Sequence, residues 1–141
     1  MTSLSNLDIE RIASGVIDRT LPKSEWTHAA HFAAALWVIT RHGSDAECLM
    51  PGFIRAYNEA TNTPNTDTGG YHETITLASL RAARFMLATH PDMGLSDVLA
   101  ALMAREFGRS GWLLAYWRKE TLFSVEARRN WVAPDIQQLP F

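Results

Sequence analysis

Residues 24–42, SEWTHAAHFAAALWVITRH, have helical spacing and are apolar on nearly every side. A helix of that kind belongs at the centre of a bundle, with neighbours packed around it. It nevertheless carries His28 and His31 in its first two turns. Imidazoles placed there need partners, because an unpaired polar group in an apolar core costs on the order of 2 kcal/mol. Ser24 is the N-cap candidate for this helix, and Gly43 suits a left-handed C-terminal cap.

The remaining pattern is also helical. Leu4, Leu7, Ile9, Ile12, Val16 and Ile17 recur at helical spacing behind Ser3 or Ser5, and predict a first helix over residues 5–19 that Pro22 ends. A third helix, capped by Ser44 or Asp45, runs to about Asn62, with Pro51 as an alternative first-turn residue. Residues 61–70, TNTPNTDTGG, are turn formers and make the one long loop. A fourth helix follows over 71–89, stopped by His90, Pro91 and Gly94, and Ser96 caps a fifth that reaches Phe107. Beyond Gly108 and Gly111 come an aromatic segment at 112–117, a short helix at 124–130 and an extended tail through Pro134 and Pro140. Nothing alternates with period two for long enough to predict a strand. The expected fold is therefore all-α: a single domain over 1–141, an up-and-down bundle of about five main helices with a short helical, extended C-terminal tail. A chain of 141 residues can bury such a core unaided.

Charge and composition narrow the function. A net charge of −2, with basic and acidic residues interspersed, provides no patch for neutralising nucleic-acid phosphates. No apolar run reaches the ~18–20 residues of a membrane span. The start MTSLSNLDIE lacks the basic and apolar regions of a signal peptide, so the expected location is the cytoplasm. One cysteine, Cys48, leaves no intramolecular disulfide and no thiolate metal site, so a bound metal would have to rest on histidine and carboxylate. Cys48 itself reads as a small buried residue. Self-association through apolar helix faces is left open.

With short connections between neighbouring helices, one end of the bundle collects His28 and His31, then Tyr57, Asn58 and Thr61, the polar loop, and Tyr71, His72 and Glu73. His28 and His31 lie about 60° apart around their helix, with Cβ atoms about 5–6 Å apart, so both rings can reach one ion. His72 shares its side of the fourth helix with Ile75, Thr76 and Ser79, whereas Glu73 is turned about 100° away. Three neutral imidazoles with an open position form a catalytic metal site. In this reading His28, His31 and His72 bind a divalent ion, Zn, Fe, Mn or Ni. Glu73 serves as base or fourth ligand, with Tyr71 beside it, and Tyr57, Asn58, Thr61 and Thr76 shape the pocket or orient the rings. Arg109, after Gly108, is positioned to clamp an anionic substrate. Such a site suits hydrolase, lyase or isomerase chemistry on a small polar or anionic molecule.

Two other readings use the same residues. In one, the helix ends form a small-molecule pocket without metal or turnover. In the other, the histidines bond backbone carbonyls and hydroxyls and the protein is structural or an interaction module. His42 and His90 read as C-terminal caps. Trp112, Tyr116, Trp117, Phe123 and Trp131 read as core. Arg81, Arg84 and Arg105 read as solvated or paired with carboxylates.

The segments Trp26-Thr27-His28 with His31, Gly70-Tyr71-His72-Glu73-Thr74-Ile75-Thr76, Leu122-Phe123-Ser124 with Ala127-Arg128, and Trp131-Val132-Ala133-Pro134-Asp135 resemble a family of small all-helical bacterial proteins without an established activity. The resemblance spans residues 26–139. It implies a single helical domain and leaves the chemistry to the residues.

Overall fold

Ser5 opens the first helix, α1 (Asn6–Ile17), through a capping box. Its hydroxyl accepts from the Asp8 N–H at 3.1 Å, and the Asp8 carboxylate accepts from the Ser5 N–H at 3.0 Å. The computed structural model describes residues 3–141, and among them only helices and turns occur. The central helix, α2 (His28–His42), begins four residues later than its spacing predicts. Ser24 sits in a separate 3-10 turn, Lys23–Glu25, and the Thr27 hydroxyl makes the cap, accepting from Ala30 N–H at 3.2 Å. His28 is therefore the first residue of α2. Gly43 ends it at a positive φ of 56°, but with ψ −126° it is not the left-handed cap expected.

α3 (Ala46–Ala60) carries Pro51 inside it, and α4 (Glu73–Thr89) starts after His72. α5 (Leu95–Ala104) begins at Gly94 instead of Ser96. Ser96 ties α5 to the start of the chain, its N–H donating to Asn6 Oδ1 and its hydroxyl to Leu4 O, both at 2.7 Å. α5 also stops before Phe107, because Arg105 turns extended at ψ −175°. A 3-10 turn at Glu106–Gly108 follows, where a Cβ on Gly108 would lie 2.1 Å from Met103 O, so only glycine allows that turn. The chain continues through a 3-10 turn at Trp112–Ala115, α6 (Lys119–Leu122), which the periodicity did not predict, and α7 (Val125–Arg129), capped by Ser124.

α2 touches α1, α3, α4 and α5, and Phe32, Leu36 and Val38 are at most 1% exposed. Side chains of this size each contribute about 1.5–3 kcal/mol by leaving water. The C-terminal segment folds back over the bundle. Thr74 Oγ1 donates to Asn130 O at 2.8 Å and accepts from Val132 N–H at 3.1 Å, Trp117 Nε1 donates to Val132 O at 2.8 Å, and Phe141 packs on Phe85, Phe107 and Trp112. Among the described residues no helix is long and apolar enough to cross a membrane.

Three expectations are corrected by packing. Cys48 is exposed. Phe123 is 52% exposed and Trp131 half-buried, while Trp112, Tyr116 and Trp117 are core. His90 does cap α4, donating from Nδ1 to Met86 O at 2.9 Å, and Arg84 pairs with Glu47 through two contacts of 2.7 and 2.6 Å.

Candidate functional site

The three sequence-flagged histidines meet three different fates. His28 Nε2 donates to Phe107 O at 2.7 Å. His31 Nδ1 donates to Thr27 O at 2.7 Å, and its ring stacks on Trp26 with centroids 3.7 Å apart. A carbonyl only accepts, so these bonds make His28 Nε2 and His31 Nδ1 the donor nitrogens and leave His28 Nδ1 and His31 Nε2 without a protein partner among the described residues. Loss of hydration among close neighbours lowers the His31 pKa from 6.5, the Thr27 carbonyl opposes that shift, and the charges of His28 and Lys23 add to it. His31 is accordingly neutral at pH 7, although its edge reaches solvent.

His72 is committed at both nitrogens. Nε2 donates to Leu122 O at 2.7 Å, and Nδ1 accepts from Ile75 N–H at 3.2 Å as the N-cap of α4. No lone pair is left for an ion. Burial again lowers its pKa, with the Leu122 carbonyl opposing and the Arg128 charge assisting. Among the described residues no group of three or more His, Cys, Asp or Glu side chains is arranged to hold a metal. The expected three-histidine centre is thus not assembled, because His72 is spent on starting its own helix.

His28 and His31 instead line a cavity of about 340 Å³. Phe32 of α2, Ile75 and Ser79 of α4, and Leu122 and Phe123 form much of its wall, and residues 110–114 close it. Trp112 belongs to that wall. It is 5% exposed, and its indole Nε1 is the one buried side-chain nitrogen or oxygen without a hydrogen-bond partner among the described residues. An unpaired buried donor costs about 1–3 kcal/mol. The contrast with Trp117, whose Nε1 is satisfied by Val132 O at 2.8 Å, is internal to the same segment. Leu114 and Phe123, 40% and 52% exposed, add apolar surface to the pocket.

The other candidates hold the scaffold. Tyr57, fully buried, donates to Leu21 O at 2.9 Å, and Thr61 Oγ1 donates to Tyr57 O at 2.9 Å to finish α3. Asn58 Nδ2 donates to Asn65 Oδ1 at 3.0 Å, and the same oxygen accepts from Tyr71 N–H at 2.9 Å, so the polar loop is knotted by Asn65. Thr76 Oγ1 donates to His72 O at 2.8 Å. Tyr71 donates its phenol to Glu73 Oε1 at 2.5 Å, and neither lines the histidine pocket. Burial, reinforced by the Glu73 carboxylate, raises the Tyr71 pKa and keeps the phenol protonated. Arg109 is exposed beside a separate hollow with Arg105 and Glu106. Sequence reasoning missed Trp112 as a site residue; its position just after Gly111, in a turn and not in a long helix, was the available signal.

The chain matches no family model, no curated protein and no solved structure. The resemblance carried by residues 26–31, 70–76, 122–128 and 131–135 rests on those residues alone.

Proposed function

We propose that this protein binds a small, largely apolar molecule bearing a hydrogen-bond-accepting oxygen, seated among His28, His31 and Trp112. The buried, unpartnered indole N–H of Trp112 in the wall of the cavity carries this reading. The lone pairs on His28 Nδ1 and His31 Nε2 would accept from a hydroxyl or amide of the ligand, and a small turn of the covered Trp112 indole would bring its N–H to a carbonyl or carboxylate oxygen of the same molecule. At about 340 Å³ the cavity is at the small end of the range for ligand pockets. The free thiol of Cys48 fits a reducing compartment such as the cytoplasm. The test is a titration with small aromatic amides and carboxylic acids in the presence of chelator, followed through the indole ¹H–¹⁵N signals. A saturable shift of one indole signal, absent in Trp112→Phe and accompanied by a raised Tm, supports the reading; no response across the set overturns it.

A second reading retains a divalent ion, Zn, Fe, Mn or Ni, on His28 Nδ1 and His31 Nε2. The observation that favours it is that each ring donates its other N–H to a backbone carbonyl, as metal-bound histidines do. Substrate oxygens would complete the shell and receive Lewis-acid assistance in hydrolase, lyase or isomerase chemistry. Stoichiometric metal in untagged protein, lost in His28→Ala, supports this; less than about 0.1 ion per chain after reconstitution removes it.

A further inference from the structure

A second hollow, about 210 Å³, is walled by Arg55, Arg128 and Arg129 together with Asn65, Asp67 and Tyr71. Three guanidiniums around one concavity repel each other unless something negative sits among them. Asp67 answers for one of them: it takes Arg129 bidentately, with Nε and Nη2 both at 2.7 Å from its oxygens. The other two are held by groups without charge. The Arg55 guanidinium lies 4.6 Å from the centroid of the Tyr71 ring, stacked on its face. Arg128 Nη1 donates to Gly70 O at 3.1 Å and to Tyr71 O at 3.2 Å, which leaves its Nε and Nη2 unspent. Among the described residues neither Arg55 nor Arg128 forms an ion pair with a carboxylate. The nearby Glu73 carboxylate is taken by the Tyr71 phenol and does not line the hollow.

Cation stacking and carbonyl contacts orient planar forks without neutralising them, which is the arrangement that receives an oxyanion through paired N–H donors. We propose that this hollow is a binding site for a phosphoryl group, supplied by a free phosphate ion or by a small phosphomonoester. A phosphoryl dianion, with up to two charges and three oxygens, can accept from both unpaired forks at once and neutralise them both. The two forks sit on α3 and α7, so the bound anion would bridge α3 to the C-terminal segment. The site is separate from the histidine pocket and stands whether or not that pocket binds a ligand.

The test titrates inorganic phosphate, and in a second arm phenyl phosphate, into the whole protein at ionic strength held constant with chloride, reading arginine Nε–H signals and Tm. Saturable binding with a Kd of about 1 mM or tighter is expected. Arg55→Gln and Arg128→Gln should each weaken it at least tenfold, while Arg41→Gln, remote from the hollow, leaves it unchanged. Tighter binding of phenyl phosphate identifies a phosphomonoester as the ligand class, and equal or weaker binding identifies the free ion. A linear response that chloride reproduces, or unaltered binding by Arg55→Gln, overturns the proposal. Arg55 is exposed, so its variant retains the fold if Arg128→Gln does not.

Discussion

Replacing Trp112 by phenylalanine should change stability by no more than about 1 kcal/mol, although a buried indole is lost. Trp→Phe leaves a void of roughly 35 Å³, which at about 24 cal/mol per Å³ costs about 1 kcal/mol, and the lost transfer of apolar atoms adds about 1 kcal/mol more. At Trp112 the same change removes a buried donor that bonds to nothing, and relieves about 1–3 kcal/mol. The net change lies between about 1 kcal/mol of loss and about 1 kcal/mol of gain. Trp117 is the internal control, because it is fully buried and its Nε1 donates to Val132 O at 2.8 Å. There the void, the lost transfer and the lost bond act together, for a loss of about 3 kcal/mol. The two variants should therefore differ by roughly 2–4 kcal/mol in urea unfolding at constant m, or by roughly 6–12 °C in Tm for a chain of this size. Equal losses in the two variants would show that the Trp112 donor is satisfied, and the argument for a ligand in its pocket would fall with it.

Three further outcomes follow from the geometry. The His31 and His72 pKa values lie below 6.5 in the folded state, so the unfolded chain binds more protons between 6.5 and the folded values. The stability held by the neutral rings is complete above pH 6.5 and is lost as pH falls through the folded pKa values; urea midpoints at about pH 7.5 and about pH 5.5 should show the loss, with a shallower slope in His72→Gln. A wild-type midpoint independent of pH over that window would refute it. Gly108→Ala should cost more than about 2 kcal/mol, because its Cβ would sit 2.1 Å from a backbone oxygen, and thermal unfolding measures it. Gly52→Ala, inside α3 with nothing within 4 Å of the new Cβ, should instead gain up to about 1 kcal/mol in the same assay.

The helices were readable because each has a strong apolar period and a local stop. Ser5, one of the two predicted caps, starts α1, and Gly43 ends α2 where the pattern places it. The α2 start was misread because Ser24 and Thr27 are both good caps, and only the stacking of Trp26 on His31 favours the later one. The candidate site was half readable. Two imidazoles three residues apart on one helix follow from spacing, and His28 and His31 do share a cavity. His72 was misassigned because an imidazole nitrogen can cap a helix, and the sequence does not distinguish a ring that accepts from Ile75 N–H from one that ligates an ion. Arg55 and Arg128 lie 73 positions apart in the sequence, and only the fold of the tail brings them to one hollow.

The double use of Thr74 Oγ1, bonded to both Asn130 and Val132, has a consequence for the order of assembly. Helices α1 to α5 contain most of the local contacts and can associate while later residues are still emerging from the ribosome. The opposite wall of the histidine cavity comes from residues beyond 109, so until Thr74 latches the returning strand of chain, His28 and His31 face an open trough. The wall of the cavity is thus completed only when the C-terminal segment docks, in the same step that buries Trp112, Tyr116 and Trp117.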